Sequence, residues 1–223
     1  MANLKITPAQ EKAVKSEGFL RNRGTDNFSA RIITVNGKIT AAQQKLIGDA
    51  AEKFKVAVGG CPNNCVKPDL NDLGIVGQMV PNYDKDLCMG CKKCAVEDTC
   101  PMGAAKVVDG ILEMSDECNN CGKCIGKCNF DAIPDGERGY KIFIGGMWGK
   151  RPQVAKPLSK IFKSPKEVYD VIEKMLLLYR EQGQTRERVA QTVNRIGFEN
   201  VEAQLLSDEI MERKDKILNA DLH

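Results

Sequence analysis

Eight of the ten cysteines in this 223-residue chain stand in two compact groups, and their spacing is typical of metal ligands. Each group is a C-x2-C-x2-C triplet followed by a fourth cysteine. The groups are Cys88, Cys91, Cys94 and Cys100, and then Cys118, Cys121, Cys124 and Cys128. A triplet this tight wraps one corner of an iron–sulfur cubane, and its backbone can donate N–H groups to the sulfurs. Gly90 and Gly122 allow the tight loop conformations that this requires.

Disulfides and structural zinc are the other uses of so many cysteines. Disulfide frameworks suit short secreted chains, whereas this chain is longer and its first residues contain no apolar stretch of a signal peptide. Zinc sites usually take cysteines in pairs, not in triplets that each have a trailing fourth. We therefore expect two [4Fe–4S] clusters in a reducing, cytoplasmic environment.

Composition excludes several other classes of function. The one histidine is His223, which removes histidine-ligated metals, histidine-ligated haem and Ser–His–Asp catalysis. A net charge of +3 is too small to indicate a nucleic-acid partner. No apolar run reaches the roughly 18 residues of a membrane-spanning helix, so no membrane partner is expected either.

The two cysteine groups resemble those of bacterial two-cluster ferredoxins, in which the fourth cysteine of each group ligates the other cluster. The resemblance implies one cluster on Cys88, Cys91, Cys94 and Cys128, and a second on Cys118, Cys121, Cys124 and Cys100. The chain departs from the ferredoxin pattern at two places. Five residues rather than three separate Cys94 from Cys100, and Asn129 rather than proline follows Cys128. These changes alter the hydrogen bonding around the clusters and therefore their potentials.

The pattern of apolar and turn residues predicts an α+β fold that is interrupted by the cysteine-rich module. We assign residues 81–137 to an inserted ferredoxin module, and 1–80 with 138–223 to the surrounding domain. Ser164 and Glu167 form a capping box that begins a helical C-terminal tail, and Gly197 separates two later helices. The predicted strands are 28–35, 55–58, 74–80 and 140–144, with a hairpin at 107–112; the predicted helices are 7–16, 40–54, one from 164, 185–196 and 199–218.

A second cysteine motif, C-x3-C, lies upstream of the module in residues 59–68, and a glycine-rich segment follows the module at 144–151. Together they resemble the sirohaem site of sulfite and nitrite reductases, in the order found in the anaerobic sulfite reductase catalytic subunit. The resemblance implies that the second cysteine, Cys65, joins a cluster to the sirohaem iron. The cofactor-binding residues it implies are Cys61, Cys65, Asn63, Asn64, Lys67, Gly145, Gly146, Lys150 and Arg151.

One feature of that family is missing. The family takes two further cluster ligands from an upstream C-x5-C pair, but this chain has no cysteine before Cys61 and looks like a truncated member. Sirohaem carries eight carboxylates and needs cationic partners, although each available cation is also typical of an ordinary surface charge. The available cations are Arg21, Arg23, Arg31, Lys67, Lys141, Lys150 and Arg151.

The role of Cys61 and Cys65 stays open between four interpretations. The pair completes a third cluster with ligands from a second chain, binds sirohaem and a cluster with substitute ligands, is a remnant in an electron carrier, or serves another metal or thiol chemistry. Two functions follow. The first is an electron-transfer protein that works with a redox partner or as a homo-oligomer. The second is a small sirohaem-dependent sulfite or nitrite reductase, an enzyme.

Overall fold

The computed structural model describes residues 54–184 and 186–220. The strand predicted at 28–35 and the helices predicted at 7–16 and 40–54 lie outside these ranges, except for Phe54. So do Arg21, Arg23 and Arg31. The rest of the chain, which includes all ten cysteines, can be compared with the predictions.

A four-stranded sheet in the order β1-β2-β5-β6 forms the centre of the surrounding domain. Its strands are β1 (Val56–Gly59), β2 (Leu73–Pro81), β5 (Gly136–Ile144) and β6 (Lys156–Phe162). β1 runs parallel to β2, and the other neighbours are antiparallel. The strands predicted at 55–58, 74–80 and 140–144 are therefore present, and β2 and β5 are longer than expected. β6 was not predicted, because its short edge sequence contains Pro157 and buries only Leu158 and Phe162 completely.

Helices cover one face of the sheet. They are α2 (Pro165–Gln182), α3 (Val189–Ile196), α4 (Phe198–Leu206), α5 (Glu209–Glu212) and α6 (Lys214–Asn219). The Ser164–Glu167 capping box is present, and Gly197 breaks the chain at φ 92° as predicted. The single helix predicted at 199–218 is wrong, because three helices occupy this range. The buried Lys174 ammonium donates to the Ser207 carbonyl at 2.6 Å and to the Asp208 carboxylate at 2.8 Å. A continuous helix would need the Ser207 carbonyl for its own backbone hydrogen bond.

The main hydrophobic core lies between the sheet and these helices. Leu73, Ile142 and Ile144 of the sheet and Met175 and Leu177 of α2 are at most 1% exposed. α2 therefore buries one apolar face against the sheet. This core holds β2 and β5 rigidly, and both strands lead directly into the cysteine-rich segment.

The cysteine-rich segment has its own small structure. It contains α1 (Ala95–Thr99) and a hairpin of β3 (Ala105–Val108) and β4 (Ile111–Met114). The predicted Asp109-Gly110 turn is present, with φ values of 49° and 80°. A second hydrophobic cluster, distinct from the main core, is formed by Val96, Ala105, Leu112, Cys124 and Ile133. Residues 81–137 remain our proposed module.

The α+β fold class predicted from the sequence is confirmed. Within the part of the chain that the structure describes, no helix is long and apolar enough to cross a membrane.

Candidate functional site

The second predicted quartet lines one cavity. Cys100, Cys118, Cys121 and Cys124 all border one concave space that is partly open to solvent. Pro81, at the end of β2, forms part of the same wall. Cys100 comes from the first sequence motif, so the structure brings the fourth cysteine of one motif to the triplet of the other. The two crossed ligand sets that the ferredoxin resemblance implied stay a prediction.

Backbone N–H groups and burial have opposite effects on the pKa values of these thiols. Burial raises the pKa of Cys100, but the N–H groups of residues 102–105 outweigh it, so the pKa of this thiol lies below its usual value. Burial raises the pKa of Cys124, and thiolate charge on its three quartet neighbours would raise it further. Negative charge on all four sulfurs is therefore mutually unfavourable unless a positively charged group binds them.

Tyr83 organises the first quartet. Its hydroxyl donates to the Leu112 carbonyl at 2.6 Å, and the Leu112 N–H lies 3.4 Å from the Cys88 sulfur. The N–H groups of Gly90 and Leu112 lower the pKa of Cys88. Burial, followed by the hydrogen bond with Cys88 and the charges of Cys94 and Cys128, raises the pKa of Tyr83 to about 12. Cys88, Cys94 and Cys128 thus face one phenol, and Cys91 lies on the same loop.

The thiols fit a cluster better than a single ion. Among residues 54–184 and 186–220, no three Cys, Asp or Glu side chains lie close enough together to hold one metal ion. A tetrahedral zinc site with Zn–S bonds of about 2.3 Å would need that closeness. A [4Fe–4S] cluster does not, because each of its four thiolates binds a different iron. The cavity, the donor set and the N–H groups toward the sulfurs are all suited to such a cluster.

The C-x3-C loop (residues 60–68) lies directly on β2. A Cβ atom at Gly77 would stand 2.6 Å from the Gly60 carbonyl oxygen, and one at Gly74 would overlap the Pro68 carbonyl. The two glycines of the strand therefore give the loop its close approach. Asn64 and Lys67 adopt left-handed conformations inside the loop, and both Cys61 and Cys65 are exposed.

Asp69 connects this loop to the glycine-rich segment. Its carboxylate accepts from the Asn64 side-chain amide at 2.9 Å, and its carbonyl accepts from the Ala155 N–H at 2.7 Å. Gly146 packs against the Asp69 and Asn71 carbonyls, where a Cβ would come within 2.5 Å of each. The C-x3-C loop and the start of the glycine-rich segment are thus neighbours, and the sirohaem site itself stays a prediction.

The segment that follows Gly146 projects as an arm. Met147 and Gln153 exchange backbone hydrogen bonds of 2.9 and 2.8 Å, and the Gln153 amide donates to the Gly145 carbonyl at 2.8 Å. The residues from Met147 to Gln153 form the Trp148 arm (residues 147–153). Trp148 is 67% exposed, and Lys150 and Arg151 are also exposed. Lys150 and Arg151, two of the predicted cationic residues, are therefore surface groups, as is Lys67 within the C-x3-C loop. Lys141 lies on β5, in register with Val76, and is half-buried.

A buried ion pair joins the helical tail to this site. Asp72 is fully buried and accepts from Arg188 at 3.0 and 3.2 Å and from the Lys55 N–H at 2.9 Å. Burial raises the pKa of Asp72, whereas Arg188 and the Lys55 N–H oppose that rise. The Asp72 carbonyl accepts from the Gly145 N–H at 3.0 Å, so one residue joins the start of α3, the start of β1 and the glycine-rich segment.

β2 also connects the C-x3-C loop with the second quartet. Directly beyond Gly77, the Gln78 side chain contacts Asn119 and Asn120 at 3.4 and 3.3 Å. Met79 then forms a backbone bridge with Cys121, and its N–H donates to the Asn120 carbonyl at 2.8 Å. Sequence reasoning missed Tyr83, Asp72, Gln78 and Arg188. The pair of glycines within a strand, Gly74 and Gly77, was the available signal of a close backbone approach.

The fold and the thiol groups define an iron–sulfur protein of the oxidoreductase class. Residues 42–214 match the family described as nitrite and sulphite reductase 4Fe-4S domain, and the chain belongs to that family. The predicted membership of the sulfite and nitrite reductase family is confirmed.

Two curated relatives and one solved structure illustrate the similarity. The coenzyme F420-dependent sulfite reductase of Methanocaldococcus jannaschii is 34% identical over 67% of this chain and 24% of its own length. A subunit of the anaerobic sulfite reductase of Salmonella typhimurium is 37% identical over 23% of this chain and 15% of its own. The crystal structure of dissimilatory sulfite reductase I aligns with a TM-score of 0.47 and 24% identity, covering 68% of this chain and 42% of that one. The chain thus spans about a quarter or less of the length of these two curated relatives.

Proposed function

We propose that this chain is an electron-transfer protein that relays single electrons through two [4Fe–4S] clusters to a redox site at Cys61 and Cys65. The observation that carries the proposal is the arrangement of β2, which contacts the C-x3-C loop at Gly77 and the second quartet at Met79. Two residues of an extended strand span about 7 Å, so the two sites are close neighbours.

The contacts also support an order for the relay. The second quartet contacts β2 through Asn120 and Cys121, whereas the first quartet lies around Tyr83 and the β3–β4 hairpin. The cluster on Cys100, Cys118, Cys121 and Cys124 is therefore the one proximal to Cys61. The cluster on Cys88, Cys91, Cys94 and Cys128 is distal and receives electrons first.

A protein partner is part of this proposal. The relatives include a named subunit of anaerobic sulfite reductase and a named subunit of an ion-translocating oxidoreductase complex. By analogy, this chain works within an assembly that supplies electrons to the distal cluster. The chain covers only a small part of those relatives, so the proposal for this chain is limited to electron transfer.

Cluster content is the first test. The protein is purified without oxygen, and its iron and acid-labile sulfide are measured. The relay requires at least about eight irons per chain, held as two clusters. Cys91→Ser and Cys121→Ser should each lose about four irons, and Cys61→Ser should keep both module clusters. A zinc-containing protein without sulfide would contradict the proposal.

The relay order is tested by photochemistry. In the Cys61→Ser variant the exposed Cys65 thiol is labelled with a ruthenium photosensitiser, and electron transfer from the reduced clusters is followed after a flash. Adding Cys121→Ser removes the proximal cluster and should slow the transfer more than tenfold. The matched change Cys91→Ser removes the distal cluster and should leave the initial rate unchanged. Equal slowing by both changes would contradict the order.

A second candidate function is a small sirohaem-dependent sulfite or nitrite reductase. It is favoured by the contact between the C-x3-C loop and Gly146, with Lys67, Lys150 and Arg151 exposed nearby. In this role Cys65 would hold sirohaem, which would supply the reducing centre. Lys67, Lys150 and Arg151 would bind the carboxylates of sirohaem and the anionic substrate. The visible spectrum separates the candidates, because sirohaem has absorption bands beyond the broad cluster envelope.

A further inference from the structure

The C-x3-C loop holds too few thiols for a cluster of its own. The chain has ten cysteines, and eight of them belong to the two proposed module quartets, which leaves Cys61 and Cys65. A [4Fe–4S] cluster with thiolate ligands takes four. Residues 1–223 contain no further cysteine for this site, so the remaining ligands must come from elsewhere.

We propose that two copies of this chain pair about a two-fold axis and that Cys61 and Cys65 of both copies together hold one [4Fe–4S] cluster. The proposal rests on the proposed function, in which this loop is the end of the electron relay. An isologous interface brings the same surface patch of both copies together, so two thiols become four.

The loop is built to present both thiols outward. Cys61 and Cys65 are exposed, while the residues between and after them are fixed by the hydrogen bonds of Asn64 with the Cys61 carbonyl at 3.3 Å and with Asp69 at 2.9 Å. The tight contact of Gly60 and Pro68 with β2 anchors both ends. Ligation on this loop therefore needs little backbone rearrangement.

The surface beside the thiols has the character of an interface. Trp148 is 67% exposed and Val154 63% exposed, although both follow a segment that Asp69 and Gly146 fasten to the C-x3-C loop. Exposed aromatic groups of this size are enriched in protein interfaces. A second copy supplies the two missing thiols and a surface for the exposed indole, so it is the occupant that would satisfy both groups.

Charge makes the pairing depend on the cluster. Transfer of a preformed [4Fe–4S]²⁺ core from a thiolate-ligated cluster donor breaks four iron–thiolate bonds on the donor and forms four with Cys61 and Cys65 of the two copies. The four thiol protons pass to the freed donor thiolates, and no oxidation state changes. The ligated cluster then carries two negative charges. Lys67, which lies in the same loop as the two thiols, is exposed in each copy, so two like charges would approach each other at the contact without that dianion.

The test combines mass and iron content of the protein purified without oxygen. We expect a dimer by light scattering, with about ten irons per chain, which is two module clusters and half of a shared one. An iron chelator should dissociate the dimer, and dithiothreitol should not. Dissociation by dithiothreitol would indicate intermolecular disulfides and would overturn the proposal.

Variants separate the shared cluster from the module. Cys61→Ser with Cys65→Ser should be monomeric and retain about eight irons. Trp148→Glu should weaken the dimer at least tenfold, whereas Tyr169→Glu, which changes an aromatic residue of α2 that is 58% exposed, should not. A monomeric wild type with eight irons, or a dimer that survives loss of both thiols, overturns this inference and leaves the proposed function intact. Fewer than eight irons in the wild type overturns the proposed function itself.

Discussion

Asp72 and Arg188 form the buried contact that joins the helical tail to the start of β2. The Arg188 side chain is 25% exposed and Asp72 is completely buried, so removal of the arginine leaves a carboxylate without its counter-charge. Loss of one partner of a buried pair costs about 3–5 kcal/mol, whereas loss of both can cost much less. The pair therefore positions the site, but the stability of the folded chain depends strongly on each of the two residues.

We expect Arg188→Met to lower the thermal unfolding midpoint on the order of 10 °C, measured without oxygen by circular dichroism. Adding Asp72→Asn should recover part of this loss, because the uncompensated charge is gone. Arg138→Met, at an exposed arginine of β5, is the control and should change little. A double variant that is less stable than the single one would show that the pair is not the cause.

Glu187 offers a test by pH. Its carboxylate accepts from Arg195 at 2.8 Å, from the Thr192 hydroxyl at 2.8 Å and from the Gln184 N–H at 3.1 Å. The bond with Arg195, and then the hydroxyl and N–H donors, lower the pKa of Glu187 to about 2, although burial opposes them. A depressed carboxyl pKa stabilises the folded state above the ordinary value of 4.5 and loses that effect as pH falls toward 2.

Glu187→Gln should therefore lower the unfolding midpoint by about 2–4 °C at pH 7, corresponding to roughly 1 kcal/mol. The difference between wild type and variant should stay constant down to about pH 5 and shrink below it. Glu199→Gln is the control, since Glu199 is exposed and carries no such set of donors among the described residues. A difference that grows on acidification would contradict the assignment.

Among the structural elements, the turn of the β3–β4 hairpin and the first triplet depend on each other. Gly90 has φ 59°, and a Cβ there would overlap the Gly110 carbonyl. Gly103 has a similar φ of 61° but open space around its missing Cβ. Substituting each glycine by alanine therefore distinguishes two costs. At Gly103 only the left-handed conformation is strained, whereas at Gly90 a steric overlap is added.

Gly90→Ala should lose the first cluster, about four irons, because the loop carrying Cys88 and Cys91 must move away from the hairpin. Gly103→Ala carries the conformational cost alone and should keep its iron. Iron and sulfide assays on the two variants, purified side by side without oxygen, measure the effect. Equal loss in both would show that the φ angle, not the contact, holds this loop.

On the scale of the whole molecule, the two hydrophobic clusters differ greatly in size. The main core joins four strands to five helices, while the buried cluster of the module is formed by five residues. A core this small does not stabilise a segment of its length without metal or other cross-links. The module should therefore depend on its clusters for folding, and the surrounding domain should not.

We expect chelation of the iron to unfold residues 81–137 and leave the helical tail intact. Limited proteolysis of the iron-free protein should cut first inside this segment, as identified by mass spectrometry, while the helical circular dichroism persists. The iron-loaded protein is the control and should resist cleavage there. Early cuts in α2, or loss of the helical signal, would show that the domain also needs the clusters.

Short-range rules explain which parts of the structure could be predicted. The capping box at Ser164, the break at Gly197 and the Asp109-Gly110 turn follow from local conformational preferences. β6 and the division of 199–218 could not be predicted in this way. Their causes are an edge position in the sheet and a buried Lys174 that is far away in the chain.

The sequence by itself determined the chemistry of this protein, because cysteine spacing limits which sulfurs can share a cluster. Only the tertiary structure decided how the sites are connected. The gathering of Cys100 with the second triplet, the seating of the C-x3-C loop on Gly74 and Gly77, and the path along β2 are contacts between distant residues. They depend on packing around the main core, and no local pattern of residues records such packing.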